Sequence, residues 1–124
     1  MLRGLLGRRA LSTAYEGEFK LIEETVKSNP VVLFMKGTAE APLCGYSRTL
    51  CQVLRQYPKL ARFTTVNVLA DERLRAALKE YSKWPTFPQL YLRGSFVGGC
   101  DIVYDMYKTG QLEQLFEESN VFEK

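Results

Sequence analysis

The chain contains no histidine. That absence removes the commonest general base, along with every metal site or Ser/Cys triad that depends on imidazole. Cysteines number only three, Cys44, Cys51 and Cys100. An odd set without framework spacing belongs to a reducing compartment rather than to a disulfide-built secreted scaffold. No run of 18 apolar residues occurs, so no segment reads as membrane-spanning. Acids are missing from the first fourteen residues, "MLRGLLGRRALSTA", which carry Arg3, Arg8 and Arg9. Without those three arginines the remaining sequence has 14 basic and 14 acidic residues. A neutral folded part argues against nucleic acid, which demands a basic stripe.

The acid-free leader alternates Leu with Arg and ends in Ser-Thr-Ala. That is the composition of a mitochondrial transit peptide, and its apolar stretches are too short for a secretory signal; a plain unstructured N-terminus is the alternative. The expected division is a leader over 1–14 and one folded domain over 15–124. At 124 residues in total, the chain is long enough to bury a core without disulfides or structural metal.

Apolar residues Phe19, Ile22 and Val26 recur at helical spacing between Tyr15 and Asn29, and Pro30 stops the pattern. "VVLFM" (31–35) is a continuous apolar run with β-branched residues, the pattern of a strand buried on both faces. A polar loop, 36–43, leads to a second helix from about Cys44 to Tyr57, closed by Pro58. "FTTVNVL" (63–69) predicts a second strand. Asp71 caps a third helix, "ERLRAALKEYS". "QLYL" and "SFVG" predict two strands joined by a tight turn at Arg93-Gly94. Asp101 is expected to cap a last helical stretch that Gly110 divides. The first two strands, linked through a helix, are expected to be parallel and the last two antiparallel. The fold class is therefore α/β: a four-stranded mixed sheet flanked by helices, the thioredoxin-like architecture.

Cys44 follows a buried strand and opens a helix. Unpaired N–H groups and the helix dipole favour a thiolate there, and Lys36 adds to the effect. The Cys-x-x-Cys of a dithiol redox site is absent, since its fourth position is Ser47. Cys51 falls two helical turns later, about 10 Å along the axis, beyond disulfide reach; packing is its expected role. For Cys100, in "GGCD", core filling and function both stay open, as does a disulfide with Cys44. Pro88 in "WPTFPQ" reads either as an ordinary strand-entry proline or as a cis bond in a tight turn.

"KGT" eight residues before "CGYS", then "WPTFPQLY" and "FVGGCDI", resemble the monothiol glutaredoxins, specifically the single-domain mitochondrial type. The resemblance spans about residues 17 to 118 and departs from the family at Tyr46 (usually Phe), Ala39 (usually Pro) and Cys51 (usually aliphatic). It implies a glutathione site. Lys36 and Arg75 would hold the glycine carboxylate, the backbone of Phe87 before a cis Pro88 the cysteine portion, and Cys100 and Asp101 the γ-glutamyl end, with Cys44 facing the glutathione sulfur. The implied function is carriage of a 2Fe-2S cluster between two subunits, each giving Cys44, with two glutathiones completing the ligands. Iron–sulfur assembly and acceptor proteins of the mitochondrial matrix would be the partners. The alternatives are a glutathione-dependent oxidoreductase that strips glutathione from proteins, and an interaction module with an inert cysteine.

Overall fold

The computed structural model describes residues 13–60 and 63–123; residues 1–12 of the expected leader lie outside the described residues. After a 3-10 turn, Thr13–Tyr15, come α1 (Glu16–Ser28), β1 (Val31–Met35), α2 (Gly45–Leu54), β2 (Thr64–Asn67), α3 (Glu72–Ser82), β3 (Gln89–Leu92), β4 (Ser95–Gly98), α4 (Cys100–Thr109) and α5 (Gln111–Glu118). The sheet order is β2-β1-β3-β4. β1 runs parallel to β2 and antiparallel to β3, and β3 runs antiparallel to β4. The expected thioredoxin-like architecture is present.

Every residue of β1 is buried, because helices cover both faces of the sheet and successive side chains point to opposite sides. Val31, Leu33 and Met35 meet Leu50, Val103, Leu112 and Phe116 on the side of α2, α4 and α5. Val32 and Phe34 meet Ile22, Val26, Ala77 and Leu78 on the side of α1 and α3. Arg73 pins these last two helices together from the surface, its guanidinium on the Glu18 carboxylate at 2.9 Å and over the Tyr15 ring.

Strand directions bring four chain segments to one end of the sheet. Met35 at the end of β1 pairs with Asn67 at the end of β2, Phe34 with Gln89 at the start of β3, and Leu90 with Gly98 at the end of β4. The loop before α2, the lead into α3, the loop before β3 and the start of α4 therefore converge.

Three boundaries differ from the sequence-based expectation. β2 stops at Asn67 rather than at residue 69, because the Asn67 side chain accepts the Leu69 N–H at 3.0 Å and turns Val68–Ala70 into a 3-10 helix. The second helix ends at Leu54 rather than near Tyr57, and Arg55 forms its C-cap. At α4 the N-cap is Gly99, without a side-chain bond, so Asp101 lies in the first turn instead of capping. The hairpin turn falls at Arg93 and Gly94, both at positive φ (49° and 85°), as a primed turn requires. Gly110 divides α4 from α5 in the left-handed region, as expected.

Asp71 does cap α3, its Oδ1 accepting the N–H groups of Arg73 and Leu74 at 3.0 and 3.1 Å. Asp71→Ala is expected to cost about 1 kcal/mol of folding stability, read from the urea midpoint at unchanged slope. An unchanged midpoint contradicts the capping role.

Candidate functional site

After Met35 the chain closes a compact loop. Leu43 N–H donates to Lys36 O at 2.9 Å, and Gly37 bridges Pro42. Gly37 has φ +91°, and a Cβ there would lie 2.6 Å from Ala41 O, so this closure needs glycine. Asn67 Oδ1 accepts the Gly37 N–H at 2.9 Å and ties the loop to the end of β2.

The loop delivers Cys44 to the N-cap of α2 with extended backbone. Its sulfur takes the place of a capping oxygen: the Ser47 N–H points at Sγ over 3.4 Å, and Ser47 Oγ lies 3.3 Å from it. Ser47 is fully buried, and its Oγ also accepts the Lys36 N–H at 3.0 Å. With one lone pair engaged by the Lys36 N–H, the hydroxyl can accept from the Cys44 thiol and can donate its own proton to the thiolate.

Burial pushes the Cys44 thiol up. The Ser47 hydroxyl, the N–H groups of Ser47 and Tyr46 and the Lys36 charge together outweigh that effect and hold the thiol below its ordinary value. Cys51 and Cys100 go the other way. Burial raises both, and at Cys100 the charges of Asp101 and Cys44 add to the rise. All three cysteines are free. Cys51 is buried with its sulfur 3.5 Å from Met35 Sδ, a packing position. Cys44 alone of the three is set up as a nucleophile or ligand.

Beside it opens a cavity of about 470 Å³. Lys36 and Tyr46 line it next to Cys44, Arg75 and Lys79 from α3, Trp84 to Phe87 from the loop before β3, and Gly99, Cys100 and Asp101 from the start of α4. The structure thus brings Lys36, Arg75, Phe87, Cys100 and Asp101 to one cavity, with Cys44 at its side. The Phe87–Pro88 bond is cis. Three cations and one carboxylate line the space, together with the first residues of α4, a helix end that carries N–H groups without partners inside the helix. This combination suits a ligand carrying two carboxylates and one ammonium.

Sequence reasoning missed Lys79, Trp84 and Thr86 as lining residues. Lys79 had a signal: it stands four residues after Arg75, hence on the same helix face. Tyr46 is 64% exposed, so its hydroxyl meets solvent and needs no partner in the protein.

The glutaredoxin family profile matches residues 31–97. This chain belongs to the glutaredoxin family. Its relatives are monothiol glutaredoxins. A chloroplastic one, S7 of rice (Oryza sativa), is 53% identical over 79% of this chain and 57% of its own length. The mitochondrial monothiol glutaredoxin-5 of Saccharomyces cerevisiae is 50% identical over 81% of this chain and 67% of its own length. The chain thus spans little more than half of the rice relative. Among solved structures, the buckwheat glutaredoxin–glutathione complex is 26% identical with a TM-score of 0.69, over 86% of this chain and 97% of that one. The holo form of glutaredoxin C1 from Populus tremula x tremuloides is 27% identical with a TM-score of 0.74, over 88% and 95%.

For this glutaredoxin, Ser47→Ala is expected to shift the alkylation of Cys44 by iodoacetamide to higher pH. Removing the hydroxyl removes the largest of the contributions that lower the thiol pKa, so less thiolate is present at neutral pH and the rate there falls. A pH profile superimposable on that of the parent chain contradicts this account.

Proposed function

We propose that this glutaredoxin binds glutathione in the cavity and, as a glutathione-containing dimer, carries a 2Fe-2S cluster and hands it to acceptor proteins of iron–sulfur assembly. The observation that carries the proposal is a single activated thiol, Cys44, beside a cavity charged to hold a tripeptide that brings its own thiol. A 2Fe-2S cluster takes four thiolates. Among the described residues no group of three or more His, Cys, Asp or Glu is placed to hold a metal, so one chain does not complete the set. Two chains contribute one Cys44 each, and two glutathiones contribute the rest. The cluster is cargo in this scheme: ligands half of which are exchangeable small molecules favour release over storage.

Within the cavity, Lys36 and Arg75 take the glycine carboxylate, paired cations matching one anion. The backbone of Phe87 takes the cysteine portion. The γ-glutamyl carboxylate sits on the amides of Cys100 and Asp101 at the start of α4, where the helix end favours negative charge, and the Asp101 carboxylate takes the ammonium. The proposed organisation is a leader over 1–14 that directs a domain over 15–124 to the mitochondrial matrix. The mitochondrial yeast relative supports that address; the chloroplastic rice relative shows that the family is not confined to it.

The lowered thiol pKa of Cys44 also supports a second reading. Its thiolate attacks the glutathione sulfur of a protein mixed disulfide, the protein thiolate leaves, and free glutathione regenerates Cys44 with release of glutathione disulfide. This route needs no second protein thiol. In our proposal it is a side activity of the cluster carrier.

Anaerobic reconstitution with iron, sulfide and glutathione is expected to give visible cluster absorption in the parent chain and none in Cys44→Ser. Persistence of the absorption in that variant contradicts the ligand assignment. Arg75→Ala is expected to weaken glutathione binding roughly tenfold through loss of a charge-assisted hydrogen bond, measured by calorimetry. An unchanged affinity removes Arg75 from the site.

A further inference from the structure

Gln89 is a polar residue at 0% exposure, the first residue of a strand whose four positions are all buried. An apolar side chain of similar size would fill that space, so the amide calls for a reason. Its Nε2 donates to Trp84 O at 3.2 Å and to Thr86 O at 3.1 Å. Both acceptors belong to the loop that forms one wall of the cavity.

The same loop is held from two other sides. Ser82 Oγ accepts the Trp84 N–H at 3.1 Å and donates to Leu78 O at 2.8 Å, anchoring the loop to the end of α3. On the side of α4, a Cβ on Gly99 would lie 2.9 Å from Trp84 Nε1, so the indole rests directly on the backbone at the start of that helix. Gln89 provides the central hold. Its two bonds take up the Thr86 carbonyl and the Trp84 carbonyl, which Ser82 Oγ also approaches at 3.4 Å, and they reach the loop from the rigid sheet.

We propose that Gln89 is a positioning residue of the cavity: its side-chain amide clamps the carbonyls of Trp84 and Thr86 and so holds the wall formed by residues 84–87 at the spacing a bound ligand requires. Gln89 touches no ligand itself. It acts through Thr86 and the Phe87 backbone, and in this respect the inference rests on the proposed glutathione site. The clamp is separate from the bonds that act on Cys44: Gln89 holds the carbonyls of Trp84 and Thr86, whereas the Ser47 hydroxyl engages the Lys36 N–H and the Cys44 sulfur.

Trp84 is the only tryptophan in the chain, so its fluorescence reports this wall alone. In Gln89→Leu and Gln89→Met, acrylamide quenching of Trp84 is expected to rise and the dissociation constant for glutathione to increase about tenfold, with the pH profile of Cys44 alkylation unchanged. Leu112→Ala, a buried core change on α5, serves as a control for lost stability. It is expected to leave both Trp84 quenching and glutathione affinity at parent values. The clamp is refuted if whichever Gln89 variants fold keep parent quenching, or if Leu112→Ala reproduces their increase. Should the parent chain itself bind no glutathione, the site reading falls, while the quenching data still decide the clamp.

Discussion

One hydroxyl ties the scaffold to its chemistry. Ser47 Oγ accepts the Lys36 N–H, the first backbone donor past the end of β1, and faces the Cys44 sulfur at 3.3 Å. A thiol at that position would be a poorer acceptor for the backbone and would offer Cys44 an internal disulfide partner. Serine therefore closes the turn from strand to helix and, by the same bonds, favours the Cys44 thiolate. Losing the second thiol and activating the first are one structural event.

Around that hydroxyl the topology does the assembling. Because β1 and β2 end at the same edge where β3 starts, and β4 returns to it, four unrelated segments meet without long loops. Rigid elements present each part: α3 carries Arg75 and Lys79, α4 offers its N-terminal amides, and the residues before β3 are pinned by Ser82 and Gln89. In the proposed carrier this matters because glutathione must present its sulfur beside Cys44 in each of two subunits. A site preorganised by sheet and helix ends limits the ordering that binding would otherwise cost.

Much of this was legible in the sequence, and the reasons differ by element. The run "VVLFM" has the pattern expected of a strand buried on both faces, Pro30 and Gly110 marked helix limits, and Arg93-Gly94 marked a tight hairpin turn. The resemblance carried by "CGYS", "WPTFPQLY" and "FVGGCDI" named residues that the fold places around one cavity. What escaped were side-chain bonds to distant backbone. Asn67 shortens β2, Ser47 reaches back eleven residues to Lys36, and Gln89 fastens a loop. None of these leaves a periodic trace, and each depends on where the chain returns in space. Asp101 was misread as a cap because its residue type favours that role, whereas the close contact of Trp84 with Gly99 makes a glycine the residue at the N-cap.

The central claim is that the missing protein thiol is supplied by glutathione. Native mass spectrometry of the chain loaded without air tests it most directly. The account predicts one species with two chains, two glutathiones and one 2Fe-2S cluster. A cluster held without glutathione, or held by a single chain, would contradict it.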